Sequence, residues 1–325
     1  MQTPYHVFTT LIIPLKYCIL TLMMPKYVEL LKTKNHNKKN FLINYADSLW
    51  EKCRLCGFFC KVDRNKTEGT GCKAGNKIKV ASFSVHKGEE PPISGTKGSG
   101  TVFFSNCSLE CNFCQNYPIS QLSVGKELSV DEFAEKLLFL QKKGVHNINL
   151  VTPSHFIPLI FKGILAAGEK GLIIPIVYNT SGYDSLESFY LLKEFVDIML
   201  PDMKYYKNLP ARKYSGINNY VEINRKFINA VINEYCENIF DESGIIKRGF
   251  ILRHLVLPFE IKNTYEIINY IAKIKPDIFL SIMRQYFPAW RASEKQQEKL
   301  SEMCYNKIIE HADSMGLENV YIQEE

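Results

Sequence analysis

From residue 101 to the C-terminus the chain alternates two kinds of hydrophobic pattern. Short runs rich in β-branched and apolar residues stand at about 101–105, 147–151, 173–178, 196–200, 249–256 and 278–283. Between them, apolar residues recur at three- and four-residue spacing, at about 130–143, 156–170, 185–194, 219–239, 263–274 and 294–315. The first pattern predicts strands and the second amphipathic helices. Ser129, with Glu132 three residues on, makes a capping box, and Gly144 closes the same helix. The strand runs are apolar at successive positions, the mark of a sheet covered on both faces. Six βα units in series therefore predict an α/β fold, a partial (β/α)6 TIM-type barrel, with a doubly wound sheet as the second choice. In either layout chemistry gathers at the C-terminal ends of the strands.

Upstream the pattern changes. Residues 1–49 read as an N-terminal extension that the fold does not require. Its apolar run LIIPLKYCILTLMM, at 11–24, carries Pro14 and Lys16. It is shorter than the about 20 residues of a spanning helix and lacks a basic start or a small-residue cleavage site. Met23 or Met24 is an alternative start, and a weak membrane-surface anchor is the other reading of this run. A polar, basic run follows at 32–40. Residues 50–100 hold a small cysteine-rich segment and the connector GEEPPISGTKGSG, whose Gly and Pro mark the boundary to a barrel domain at 101–325. GTKGSG is not a phosphate loop, because no Gly-Lys-Ser/Thr opens a helix there.

A chain of 325 residues, 46% hydrophobic, can bury one large core. Its net charge of +6 is a mild excess among many acids, so neither a nucleic-acid nor a membrane partner is expected. Ten cysteines change the picture more, since seven fall in two tight groups, which favours metal over disulfides. Such thiols persist as metal ligands in a reducing compartment, which points to the cytoplasm.

Cys107, Cys111 and Cys114 stand in a C-x3-C-x2-C spacing just beyond the first strand, with Phe113 directly before the last. Structural zinc takes four closed ligands, and this triplet offers three. A 4Fe-4S cube on three thiolates leaves one iron to bind an amino-acid group of a small molecule. Cys53, Cys56, Cys60 and Cys72, in C-x2-C-x3-C-x11-C, close one site by themselves: a second 4Fe-4S cluster or a zinc ion, with unligated loop thiols as the plain alternative. Cys18, Cys236 and Cys304 are isolated and read as packing residues.

The triplet after the first barrel strand, with its aromatic before the last cysteine, resembles the radical S-adenosylmethionine (SAM) superfamily. CRLC, GTGCKAGNKIKVAS, HKGEEPPISGTKGSGTVFFSNCSLECNFCQNYPIS, LVTPSHF, YNTSGYDSL, VDIMLPDMKY, RHLVLP and RQYFP occur in that order. They are similar, over about residues 50–320, to the family related to pyruvate formate-lyase activating enzyme, in the branch with an N-terminal cysteine segment. The chain departs from that pattern at Gly57, where proline is usual. The resemblance implies a 4Fe-4S cluster on Cys107, Cys111 and Cys114, SAM on its open iron, and the adenine beside Phe113. It implies reductive cleavage of SAM to a 5′-deoxyadenosyl radical that takes hydrogen from a substrate. That substrate would be a glycine of a partner glycyl radical enzyme, with flavodoxin or ferredoxin as electron donor. Two rivals stand beside it: a radical SAM enzyme modifying another macromolecule or small molecule, and a non-enzymatic zinc or iron-sulfur module.

Strand ends supply the other expected SAM contacts. Thr152 and Ser154 lie where the family's amine-binding turn lies, and a helix N-cap is the plain reading of Ser154. Asn179 ends the third strand. Asp202 and Lys204 share one side of the segment that ends the fourth; by resemblance Lys204 pairs with the SAM carboxylate while Asp202 holds the lysine or faces the sulfonium. Arg253 and His254 point to opposite faces of the fifth strand, so one at most faces the interior. His254 is the expected contact to ribose or carboxylate, with a core histidine as its alternative. Gln285, after the sixth strand, is a further candidate. Beyond the cluster ligands no catalytic side chain is expected.

Overall fold

The structure, a computed structural model, describes residues 5–7, 23–33 and 36–323. Its centre is two adjoining parallel sheets, one of β1 (Ser99–Phe104), β2 (Ile148–Val151), β3 (Ile176–Thr180), β4 (Ile198–Pro201) and β5 (Ile246–Phe250), the other of β6 (Leu252–Leu255), β7 (Leu280–Met283) and β8 (Val320–Gln323). In each the strands follow one another in chain order. A doubly wound sheet reverses its order at a switch point, and no reversal occurs here. The barrel is therefore the right layout, with β8 a further strand that the sequence pattern did not predict. Antiparallel strands Ile78–His86 and Lys126–Leu128 extend one edge, and Tyr5–Val7 pairs antiparallel with β8 at the other.

β5 and β6 occupy what the pattern predicts as one strand. The break falls where the Asn238 side-chain amide takes both backbone groups of Phe250, donating to its carbonyl at 2.9 Å and accepting from its N–H at 2.7 Å. Beyond it the ladder resumes through the parallel bridge between Asp202 and Arg253.

Helices α1 (Val130–Lys142), α2 (Ile157–Glu169), α3 (Leu186–Leu192), α4 (Tyr220–Glu234), α5 (Ile261–Ile274) and α6 (Glu302–Ser314) form the outer layer. The Ser129–Glu132 capping box forms as expected at the start of α1. A helix at Asn208–Ser215 was not expected, and the long last helix is shortened to α6 by a separate 3-10 turn at Glu294–Gln297.

Successive strand residues serve two cores, as the double-sided apolar runs require. Val102, Phe104, Leu150, Tyr178, Met199 and Leu252 pack outward against the helices. Val177, Ile198, Leu200 and Ile251 pack inward, with Ile93 from the connector. Two residues farther along the same inward face come Asn179, Asp202 and Arg253. The interior thus passes from apolar to polar toward the mouth.

The N-terminal extension is corrected from Lys26 onward. Leu42, Ala46, Leu49 and Trp50 line one face of the helix His36–Glu51 and join the outer core. In the helix Lys26–Lys32, Tyr27 is buried and its hydroxyl donates to the Ile174 carbonyl. Gly168 of α2 admits this helix, because a Cβ there would lie 2.6 Å from Leu31 Cδ1. A start at Met23 or Met24 and the placement of Cys18 concern a run that lies largely outside the described residues. No helix among the described residues is long and apolar enough to cross a membrane. Replacing Leu49 by Ala is expected to cost about 2–5 kcal/mol, read as a fall in the denaturant midpoint; an unchanged midpoint would mean that the helix does not share the barrel core.

Candidate cofactor site at the barrel mouth

The loop that leaves β1 begins with Asn106 in the left-handed region, at φ 72°, which turns the chain across the mouth. Its Nδ2 donates to the Lys73 carbonyl and its Oδ1 accepts from Ser123. Farther on, Glu110 N–H donates to the Ser215 carbonyl and Asn112 N–H to that of Tyr214, tying the loop to the helix Asn208–Ser215. Arg291 N–H donates to the Asn112 carbonyl, and the Asn112 and Gln296 side chains bond each other twice. The cysteine loop is therefore fixed from both sides of the mouth.

Cys111 Sγ lies 2.9 Å from Ser215 Oγ, which also bonds Tyr205 OH. Cys114 Sγ lies 3.3 Å from Ser120 Oγ, and Cys107 Sγ accepts from Leu109 N–H. Burial pushes the Cys111 thiol up to about 11, partly offset by the Lys204 ammonium, and burial also raises Cys107. Mutual repulsion between the thiolates adds to both shifts.

Lys204 and Asp202 meet as expected, Nζ to Oδ2 at 2.5 Å. Asp202 Oδ1 also accepts from Arg253 Nε at 3.0 Å, Arg253 donates to Asn179 Oδ1 at 2.8 Å, and its Nη1 lies 3.5 Å from Glu89. Burial works against the charged form of Asp202, yet Lys204 and Arg253 outweigh it and hold its carboxyl below the usual range. Burial likewise opposes the Lys204 charge, but Asp202 and Cys111 hold its pKa up. Burial and the neighbouring Glu90 raise Glu89 to about 7 against the pull of Arg253. A ladder of alternating charge thus runs from the connector, through the barrel, to the thiols.

The other expected contacts divide. Phe113 is buried edge-on against Phe259 and tilted against Tyr286, an aromatic wall beside the cysteines. Thr152 has φ 58°, and its N–H donates to the Asn179 carbonyl. Ser154 does not cap α2; its hydroxyl bonds Thr180 and Tyr178. Gln285 places its carbonyl on the Gln115 amide beside Cys114. His254 is the correction. It points outward, Nδ1 to the Met203 carbonyl at 2.7 Å and Nε2 to Thr264 Oγ1 at 2.9 Å, so both ring nitrogens are engaged away from the mouth. Arg253 holds the inward position. Alternation allowed one of the pair to face the interior without saying which, and Glu89 gave no signal inside a Gly/Pro connector.

The four-cysteine segment docks at the same mouth. Cys56 bridges Asp184 in antiparallel pairing, and the Leu55 carbonyl accepts from Ser185 N–H and Ser188 Oγ. Cys56 belongs to the buried cluster that contains Cys111 and Phe113. Lys73, beside Cys72, bonds Asn106, beside Cys107, as described above. Gly57 sits with its N–H on the Tyr183 carbonyl, and a Cβ there would meet the Tyr183 ring at 2.5 Å. A larger residue at 57 therefore requires Tyr183 to move.

Among the described residues no three His, Cys, Asp or Glu side chains converge closely enough to hold a metal ion as they stand. Each mouth thiol is turned to the local partner named above. Ligation requires those thiols to ionise and swing together. The donor set suits this change: three thiols from one loop, Cys111 buried and Cys107 and Cys114 half-buried at one end of the charge ladder, where a bound cation compensates the Cys107 and Cys111 anions that burial disfavours.

Residues 101–245 match the family model described as the Radical SAM superfamily, and thus carry a domain of that superfamily. That family implies a 4Fe-4S cluster and SAM. An uncharacterized protein of Methanocaldococcus jannaschii is 28% identical over 297 residues, or 88% of this chain and 81% of that relative. The structure of Streptococcus suis SuiB bound to SAM is 13% identical, with a TM-score of 0.46, over 68% of this chain and 48% of its own. The chain therefore spans about half the length of SuiB. A radical SAM methyltransferase from Sphaerobacter thermophilus is 12% identical, with a TM-score of 0.49, over 69% of this chain and 66% of its own.

Burial depresses His254 from 6.5 to about 4 and His155, whose Nε2 bonds the Ser105 carbonyl, to about 3. Below about pH 6.5 the unfolded chain takes up protons that these folded rings refuse. Stability is therefore expected to fall from pH 6.5 to about 4 and, through His155, on to about 3. In His254→Gln part of that slope should disappear from melting curves taken across the window; an undiminished slope would contradict the burial of this ring.

Proposed function

We propose that this chain, with its radical SAM domain at residues 101–245, is an enzyme that cleaves SAM reductively and directs hydrogen abstraction at the barrel mouth. The observation that carries the reading is the juxtaposition of Cys107, Cys111 and Cys114 with the Asp202–Lys204 pair, in one buried end of the barrel. When bound, the 4Fe-4S cluster and SAM supply one-electron cleavage to methionine and a 5′-deoxyadenosyl radical.

The protein's own part is holding, orienting and drying. The three cysteines would hold the cluster, and the loop's bonds to Ser215, Tyr214 and Arg291 fix where it sits. Lys204 would meet the SAM carboxylate, with Asp202 keeping it charged and aimed. Arg253 would hold Asp202 from the other side, and Asn179 orients Arg253. Phe113, Phe259 and Tyr286 would form an apolar wall for the adenine and keep water from the reacting centre. No step asks a side chain to act as acid or base. The sequence resemblance supplies flavodoxin or ferredoxin as the electron donor.

A glycine of a partner enzyme is the substrate that the sequence resemblance supplies. A second reading, a small-molecule substrate, has an observation in its favour. Glu90, Asn149 and Ser281 are fully buried, and both oxygens of Glu90 and Ser281 Oγ have no protein partner. Ser281 faces Arg253 and Tyr321 across neighbouring strands. Buried polar atoms are normally satisfied, so a donor-bearing molecule or water belongs there. The basic, non-enzymatic module has no comparable support.

After anaerobic reconstitution, wild type should make 5′-deoxyadenosine from SAM when dithionite is added, and Cys111→Ala should fall to background. Equal product from both would end the catalytic reading. Lys204→Met should retain its iron yet bind SAM about tenfold to a hundredfold more weakly, the span of a lost charge-assisted hydrogen bond; equilibrium dialysis with SAM reads this directly.

A further inference from the structure

We propose that Arg64 is the built-in counter-ion of an anionic four-thiolate metal centre on Cys53, Cys56, Cys60 and Cys72. The proposal rests on reading those four cysteines as a metal site, and the test below separates the two.

Arg64 is completely buried, although Arg is among the residues least often found so. A guanidinium cannot discard its proton, so its charge is buried with it. Among the described residues no carboxylate lies within ion-pair distance of it. Its two terminal nitrogens donate to uncharged main-chain acceptors, the Ala74 and Gly75 carbonyls at 2.8 Å each and the His155 carbonyl at 3.3 Å, and beyond these to one sulfur. The Trp50 ring lies against its face at 4.4 Å, and its Nε has no partner. Carbonyls orient such a group, but they do not neutralise it. A buried charge left in this condition is among the most costly arrangements in a protein interior.

The groups that can supply the missing negative charge are thiols. Arg64 Nη1 lies 3.8 Å from Cys53 Sγ. Cys72 Sγ is close as well: a Cβ on Gly69 would lie 2.6 Å from that sulfur and 3.3 Å from Arg64 Nη1, so both atoms border the same point. Gly69 lets them approach, and its carbonyl holds the turn through Lys73 N–H. Arg64 itself lies in the chain between Cys60 and Cys72. The backbone that brings the third and fourth thiols together therefore also delivers the cation.

Four thiolates around a divalent ion, or around a doubly positive 4Fe-4S core, leave a net negative charge. Arg64 meets that charge at two of the four sulfurs. The mouth triplet is served differently, by Lys204, which already has Asp202 as its partner. Through the His155 carbonyl, Arg64 also ties the cysteine segment to the turn after β2, so the metal would stiffen the side of the mouth where Thr152 and Ser154 lie.

The experiment compares full-length wild type, Arg64→Met and Arg64→Gln, each reconstituted anaerobically with iron and sulfide or loaded with zinc. The amide of Arg64→Gln keeps a hydrogen-bond donor for the carbonyls without the charge, and serves if Arg64→Met fails to fold. Metal belonging to this site is the amount lost in a Cys53→Ser, Cys56→Ser, Cys60→Ser triple variant. The expected result is a 10–100-fold weaker hold on that metal in both Arg64 variants, as for other groups that support metal ligands, read by competition with a chelator. The rise in Tm on metal loading should shrink in parallel. A purely structural Arg64 would instead lower Tm equally with and without metal. Unchanged chelator competition and an unchanged rise in Tm would overturn the counter-ion role and leave the metal site standing. A triple serine variant that keeps the full metal content of wild type would overturn the site itself, and the proposal with it.

Discussion

The strand order around the barrel is the constraint on which the rest depends. Because every strand from β1 to β8 runs the same way and in chain order, all the connecting loops at the C-terminal ends open onto one mouth. Residues separated by more than a hundred positions, such as Cys111 and Ser215, then meet within hydrogen-bond distance. The period of two along each strand does the remaining selection. It sends Met199 and Leu252 to the helices and Leu200 and Ile251 to the interior, and two residues on it aims Asp202 and Arg253 at each other.

Charge inside this barrel is arranged so that no member of the ladder stands alone. Glu89, Arg253, Asp202 and Lys204 alternate in sign toward the thiols, and each offsets the desolvation of its neighbour. This matters because an isolated ion at such depth would shift its pKa until it became neutral. Asp202 and Lys204 instead remain charged while buried. Their fixed charge is the feature a zwitterionic ligand can use, since the groups are already oriented before it arrives.

The N-terminal segment belongs to the same design. It does not trail from the barrel; it lies across the mouth, pairing Cys56 with Asp184 and bringing Lys73 to Asn106. Its helix at His36–Glu51 anchors it from the other side through Leu49 and Trp50. Cys56 thereby enters the buried cluster of the mouth cysteines, while Cys53 and Cys72 face the outer core.

Much of this was legible in the sequence. Doubly apolar strand runs gave the covered sheet, the Ser129–Glu132 box marked α1, and the cysteine spacing put Cys107, Cys111 and Cys114 on the one loop after β1. These are local signals, carried by periodicity and by short-range geometry. The helix at His36–Glu51 was missed because its apolar stripe is thin and follows a basic run, so its docking depends on a partner surface on α2. The break before β6 depends on Asn238, a side chain from outside the strand. The inward choice of Arg253 over His254, the reach of Glu89 from a connector, and the burial of Arg64 could be decided only by tertiary structure. Each turns on which distant charge or carbonyl lies opposite, and electrostatic pairing between remote residues leaves no periodic trace along the chain.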